Sequence, residues 1–209
     1  MRAKLSVGAI LIGLVLTCTL TGCGLPAGAA RVEVNPDIAD FKVKTVAILP
    51  LEGKPVTKEV EEFWGWSRHN FPNSGEMISD VLATELVGVR GFHYIERAQV
   101  RKVLEEQGFS LSELVSKKTP SDIGRLLGAD AVVLGTVSMM EFRETVLGVR
   151  AVTLSFSVRM VHTETGDVLW SANVGREEDG TKAVLDILRE ECRRIVEQVR
   201  AKLPSKPTQ

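Results

Sequence analysis

The sequence predicts an α/β fold: a single domain with a mixed sheet of about five strands and helices packed on it. Three observations lead there. Ala131 to Val137 is a continuous apolar run, the pattern of a central strand covered on both faces. Val152 to Met160 alternates strictly, with Val152, Leu154, Phe156, Val158 and Met160 on one face and Thr153, Ser155, Ser157 and Arg159 on the other. Thr181 to Leu203 carries Val184, Ile187, Leu188, Ile195, Val196 and Val199 at helical spacing.

The chain opens with Arg2 and Lys4, continues uncharged from Ser6 to Leu20, and then reads Thr21-Gly22-Cys23. A positive start, an apolar segment short for a bilayer span and small residues at its end read as a secretory signal. Leu20-Thr21-Gly22-Cys23 resembles the lipobox of bacterial lipoproteins, in which the cysteine is acylated and the chain is cut just before it. The resemblance implies a signal peptide over residues 1–22 and a lipidated Cys23, which makes the membrane a partner through the acyl anchor. Gly24 stands where an acidic residue would favour retention in the inner membrane. The implied address is therefore the periplasmic face of the outer membrane.

Removing 22 of the 209 residues leaves 187, enough for one domain with a proper core. Loss of Arg2 and Lys4 moves the net charge from −1 to −3. Such a balance argues against a nucleic-acid partner, which calls for clustered Lys and Arg. Cys18 leaves with the signal and Cys23 carries lipid, so Cys192 has no partner for an internal disulfide.

Residues 23–42 read as a tether, rich in Ala, Pro and Gly without periodicity, and the domain is expected over 43–203. Val43 to Pro50 is the first strand, and Glu52 to Pro72 a long loop with one helical turn. Asn73 and Glu76 form a capping-box pattern before a helix with Ile78, Val81, Leu82, Leu86 and Val89 inward, which Gly91 stops. Phe92 to Glu96 is a short strand, and Arg97 to Gln107 a helix ended by Gly108. Thr119-Pro120-Ser121-Asp122 starts a further helix, with Gly128 just past its end. The turn Thr163–Gly166 joins the alternating strand to a partner with Val168, Trp170, Ala172 and Val174 on one face. Pro204 to Gln209 is a polar tail.

Few residues suggest chemistry. His69, His93 and His162 are far apart in sequence, without His-x-x-x-His or Cys-x-x-Cys spacing, so no metal or cofactor is expected. Cys192 sits beside the apolar stripe of the last helix and reads as a core residue. Glu105 and Glu106, adjacent on a helix, point about 100° apart and read as a solvated face. Trp64, Trp66 and Phe71 admit two readings: a partner-binding patch of exposed aromatics, or the packing core of their own loop.

Five stretches in order carry a resemblance: Val46–Pro50, Ile78–Leu86, Gly91–Arg97, Val103–Gln107 and Leu127–Val137. Together they resemble the curli production assembly/transport component family, within a superfamily that includes lipoprotein activators of penicillin-binding proteins. The resemblance implies an α/β fold, a lipid anchor and, in the family's channels, two long membrane-spanning hairpins from each subunit of a ring. Here the corresponding places are Glu141–Arg150, about ten residues, and the charged Arg176–Lys182. A spanning hairpin needs two strands of about 9–11 residues plus a turn. The expectation is a non-enzymatic, protein-binding accessory or scaffold in envelope assembly or secretion, a homo-oligomer being one form. The alternatives are an activator of a peptidoglycan synthase and a ring-forming secretion channel.

Overall fold

The computed structural model describes residues 30–53, 60–87, 89, 91–106, 108, 119–148, 150–180 and 182–203. The strands among them are β1 (Arg31–Val34), β2 (Thr45–Ile48), β3 (Glu52–Gly53), β4 (Val60–Phe63), β5 (Trp66–Asn70), β6 (His93–Ile95), β7 (Ala131–Thr145), β8 (Arg150–His162) and β9 (Val168–Asp179). The helices are α1 (Ser74–Leu86), α2 (Arg97–Glu106), α3 (Pro120–Leu127) and α4 (Val184–Lys202). All strands join one mixed sheet whose main path is β1-β9-β8-β7-β2-β6. One edge of β7 is served by three successive partners. Parallel β2 pairs at Ala131–Val133, parallel β3 at Thr136 and Val137, and antiparallel β5 at Glu141–Thr145.

Alternation decides which face each helix pair covers. Val152, Leu154, Phe156, Val158 and Met160 point to one face and are buried, together with Trp170, Ala172 and Val174 from β9. Onto them pack Ile78, Leu82 and Leu86 of α1 and Ile187, Leu188, Cys192, Ile195, Val196 and Val199 of α4. Each such large side chain contributes about 1.5–3 kcal/mol through burial. The opposite face buries Ala47, Leu49, Val132, Leu134 and Val161 under Val100 of α2 and Ile123 of α3. The continuous apolar run in β7 is thus explained by helices on both sides.

Local chemistry joins the layers. Thr119 caps α3: the Asp122 amide donates to Thr119 Oγ1 at 3.2 Å, and the Thr119 amide donates to the Asp122 carboxylate at 3.3 Å. Gly128, at φ 65°, ends that helix in the left-handed region. Two residues on, the Asp130 carboxylate accepts from the Lys44 and Thr45 amides at 2.9 and 2.8 Å, fixing the start of β2. The Gly-Ala-Asp step therefore stops a helix and aligns two strands. At the other end of β2, the buried Ser79 hydroxyl accepts from the Leu51 amide, and Leu49 O lies 3.0 Å from it.

Several expectations need correction. The sheet has nine strands among the described residues instead of about five, because β1, β3, β4 and β5, each short or largely polar, join it. Arg31–Val34, inside the expected tether 23–42, is an edge strand paired with β9, and Ala30 and Val32 are buried, so the domain starts earlier than residue 43. The expected loop 52–72 holds β3 and the β4–β5 hairpin. Asn73 does precede α1, but at φ −99° and ψ 26° its side chain makes no cap hydrogen bond. Glu141–Arg150 is no bare connection: β7 runs through Thr145 and β8 starts at Arg150. The second short place, Arg176–Lys182, belongs to β9 as far as Asp179. Leu20, Thr21, Gly22, Cys23 and the tail 204–209 lie outside the described residues.

Candidate functional site

Two surfaces of the sheet stand out: the end where β7 and β8 turn, and the polar face beside α3. At the first, β7 and β8 continue past Ala151–Asp179, the outermost pair of β8 and β9. Gly148, at φ 76°, and its amide bond to Thr145 O at 2.9 Å shape their turn. The β4–β5 hairpin lies alongside, with Trp66 opposite Thr145 and Asn70 opposite Glu141. Its own turn is made by Trp64 and Gly65, and the Val146 amide donates to Gly65 O at 3.0 Å. The two turns are therefore stitched together at the same extremity of the sheet. They present Trp64, fully exposed, with Val146 and Leu147, 82% and 87% exposed.

Immediately behind this apolar tip is a band of charge. Glu141, largely buried, lies 3.2 Å from Arg68 and 3.3 Å from Arg143, and Arg143 reaches Glu177 at 2.6 Å. Arg150 pairs with Glu144 at 2.9 Å. These cross-strand pairs substitute for a hydrophobic layer on that part of the sheet. The aromatic trio of the sequence is divided. Phe71 packs against the main core, Trp66 is half-buried with the Arg68 guanidinium 5.4 Å from its ring, and Trp64 alone stands in solvent.

The second surface is the polar face of β7–β8–β9. Thr136, Ser157 and Asn173 are opposite one another on neighbouring strands, and the Thr136 and Ser157 hydroxyls are 3.0 Å apart. With Leu134, Arg159 and Glu52 they line a cleft of about 390 Å³ where α3 meets the sheet. Gly135 sits in its floor, where a Cβ would stand 2.0 Å from Ser157 O. The tip draws on two segments marked in the sequence, the aromatic stretch with Trp64 and the Glu141–Arg150 connection, whereas the cleft has no such mark. The signal for the tip was Val146-Leu147-Gly148, an apolar pair and a turn glycine between charged strands.

The buried titratable groups are structural. Burial, with Glu85 and Glu191 nearby, pushes the Cys192 thiol up to about 12, so it stays protonated in the core as expected of a packing residue. Burial likewise raises the Tyr94 hydroxyl, against the opposing charge of Arg200. Arg176 of β9 bonds Glu191 of α4 at 2.5 Å and pairs with Glu178 and Glu190. Desolvation works against the Arg176 charge, but the hydrogen bonds it donates to Glu191 and Glu178 raise its pKa overall. Glu178 and Glu190 are lowered: desolvation opposes ionisation, and bonds with Arg176 and Lys182 outweigh it. Among the described residues no three His, Cys, Asp or Glu side chains gather as a metal site. None of their helices is long and apolar enough to cross a membrane.

Comparison with known proteins now decides the family. The family model described as curli production assembly/transport component CsgG matches residues 55–189. The chain belongs to that family. The match covers every strand from β4 to β9, the Gly-Ala-Asp step and the first turns of α4. No curated protein sequence matches the chain significantly. Among solved structures, lipoprotein GNA1162 from Neisseria meningitidis is similar at 19% identity and TM-score 0.54, covering 75% of this chain and 97% of that one. The PelC dodecamer from Paraburkholderia phytofirmans is similar at 16% identity and TM-score 0.51, covering 83% and 97%. At these identities the likeness shows the fold, and it supports the sheet order described above.

β8 keeps its apolar face for the core. The apolar face of β8 is spent under α1 and α4, and its other face carries Thr153, Ser155, Ser157 and Arg159. A lipid-facing barrel strand needs an outward apolar band about 25 Å tall. The outer ends of β7 and β8 carry ion pairs instead.

Proposed function

We propose that the protein is a lipid-anchored envelope protein, held through Cys23 at the periplasmic face of the outer membrane. There it acts without chemistry of its own, as a protein-binding accessory or scaffold in assembly or secretion. The observation that carries this reading is the family match over 55–189, taken with a lipobox-like Leu20–Cys23 ahead of the domain. Acyl chains at about 0.8 kcal/mol per buried methylene would make such an anchor effectively permanent when two or more are present.

The partner surface is the cleft beside α3. Its open polar face offers Thr136, Ser157 and Asn173 hydrogen-bonding groups together with the Arg159 charge, which suits an extended peptide segment better than a small apolar ligand. The test is photo-crosslinking in cells from a probe at Ser157, with Arg189 on the exposed side of α4 as control. An envelope protein captured from 157 and not from 189 is expected. Equal adducts from both, or none from 157, would count against the cleft. Replacing Cys23 with Ser should release the folded protein from membranes.

A second reading, a homo-oligomeric ring, is favoured by the similarity to PelC, which forms a dodecamer. Sedimentation of the detergent-solubilised lipoprotein checks it: a discrete high-order species supports a ring and a monomer excludes it.

A further inference from the structure

We infer that the tip formed by Trp64, Val146 and Leu147 rests on the lipid surface, giving the domain a second, shallow contact with the leaflet that holds its anchor. This rests on the proposed anchoring through Cys23. The direction in which the chain enters the sheet is the first observation. β1 runs antiparallel to β9, with Arg31 opposite Asn173 and Val34 opposite Trp170. β9 runs on from Asn173 to Asp179, toward the tip end. Ala30, the first described residue, therefore enters β1 from the tip side of the molecule.

Lengths agree with direction. Arg31 is level with Asn173 and Ser157. From Ser157 to Arg150 is seven residues of strand, about 23 Å at about 3.3 Å each, and the turn extends slightly further. From Cys23 to Arg31 is eight residues, at most about 26–29 Å when fully extended. A lipid-held Cys23 thus keeps Arg31 within about 26–29 Å of the surface, close to the distance the tip itself reaches. With the strands upright, the tip meets the headgroups.

The chemistry of the tip suits that location. Trp favours the boundary between headgroups and acyl chains, where its ring is apolar and its N–H is wet. Val60, Met139 and Val168 are exposed at other places on the sheet, whereas Trp64, Val146 and Leu147 share two joined turns. The Glu144–Arg150 pair directly behind it sets the depth, because those charges stay in water while two turn residues enter. Three side chains would hold a free protein only weakly. The anchor raises their local concentration enough for the contact to persist.

The test uses the full lipoprotein reconstituted into vesicles of phosphatidylethanolamine and phosphatidylglycerol, with or without brominated acyl chains. The Trp64→Phe variant supplies the background from Trp66 and Trp170. The Trp64 signal, taken as the difference, should lose most of its intensity in brominated vesicles and shift to shorter wavelength. Replacing Val146 and Leu147 with Ser should restore most of that intensity. Flotation of the same vesicles reports the anchor separately. Protein that floats with Trp64 unquenched would overturn the tip contact and leave the anchor standing. Protein that fails to float would overturn both. A crosslink from position 64 to a second copy or another protein, in place of lipid, would also overturn it.

Discussion

The body of the sheet and its tip end are built from the same two long strands, yet different forces hold them. Along the body, β7 and β8 are closed in by helices, and side chains such as Ile48, Leu154, Met160 and Trp170 lose nearly all contact with water. At the tip end, the same strands carry Glu141, Arg143, Glu144 and Arg150, joined by cross-strand pairs to β5 and β9. The first arrangement gives stability that depends little on salt or pH. The second gives a water-compatible end to the sheet with apolar turns, which a wholly hydrophobic layer could not provide without inviting aggregation.

This contrast can be broken most severely from the body. Trp170→Ala should cost about 3–5 kcal/mol, because a large buried ring leaves a cavity; urea unfolding of the Cys23→Ser soluble form measures it. Arg176→Ala should be nearly as damaging, about 3 kcal/mol, since it leaves the fully buried Glu191 carboxylate with reduced compensation. Losing only a few tenths would show that Arg194 alone suffices for Glu191.

At the tip end the effects should be smaller and local. Glu141→Gln should cost about 1 kcal/mol, appearing as faster amide exchange in β5 more than as a lower global midpoint. Trp64→Ala should change stability by no more than about 0.5 kcal/mol, because the side chain touches little. The smallest effect is that of pH. Glu178 and Glu190 ionise below their ordinary 4.5 in the folded state, so they contribute fully at neutral pH. Their contribution falls as pH drops below about 4.5 and is lost once it passes their lowered folded values. The Arg176→Ala variant should show a flatter acid limb in urea titrations.

The same contrast explains what could be read from the sequence. Elements of the body were legible because burial imposes a period: two in β8, 3.6 in α1 and α4, and a continuous run in β7. The cap of α3 and its Gly128 stop were also legible, because Thr119, Pro120 and Asp122 act over one turn. The strands missed have no such imprint. Val60–Phe63 and Trp66–Asn70 are polar or mixed on both faces, and β7 beyond Met140 reads as a charged loop until its partners are known. β1 has only Val32 and Val34 to mark it, and its pairing with residues 170–173 is non-local. The tip emerges only when two hairpins distant in sequence are placed side by side.

The most direct test of the account places a nitroxide at Leu147→Cys in the reconstituted lipoprotein; Cys192 is buried, and Cys23 is acylated in the proposed form. A label at the headgroup–acyl boundary, shielded from water-soluble relaxation agents but far from the bilayer centre, is the expected result. A label fully open to water would contradict the resting tip. One found at the opposite leaflet would mean that β7 and β8 span the membrane after all.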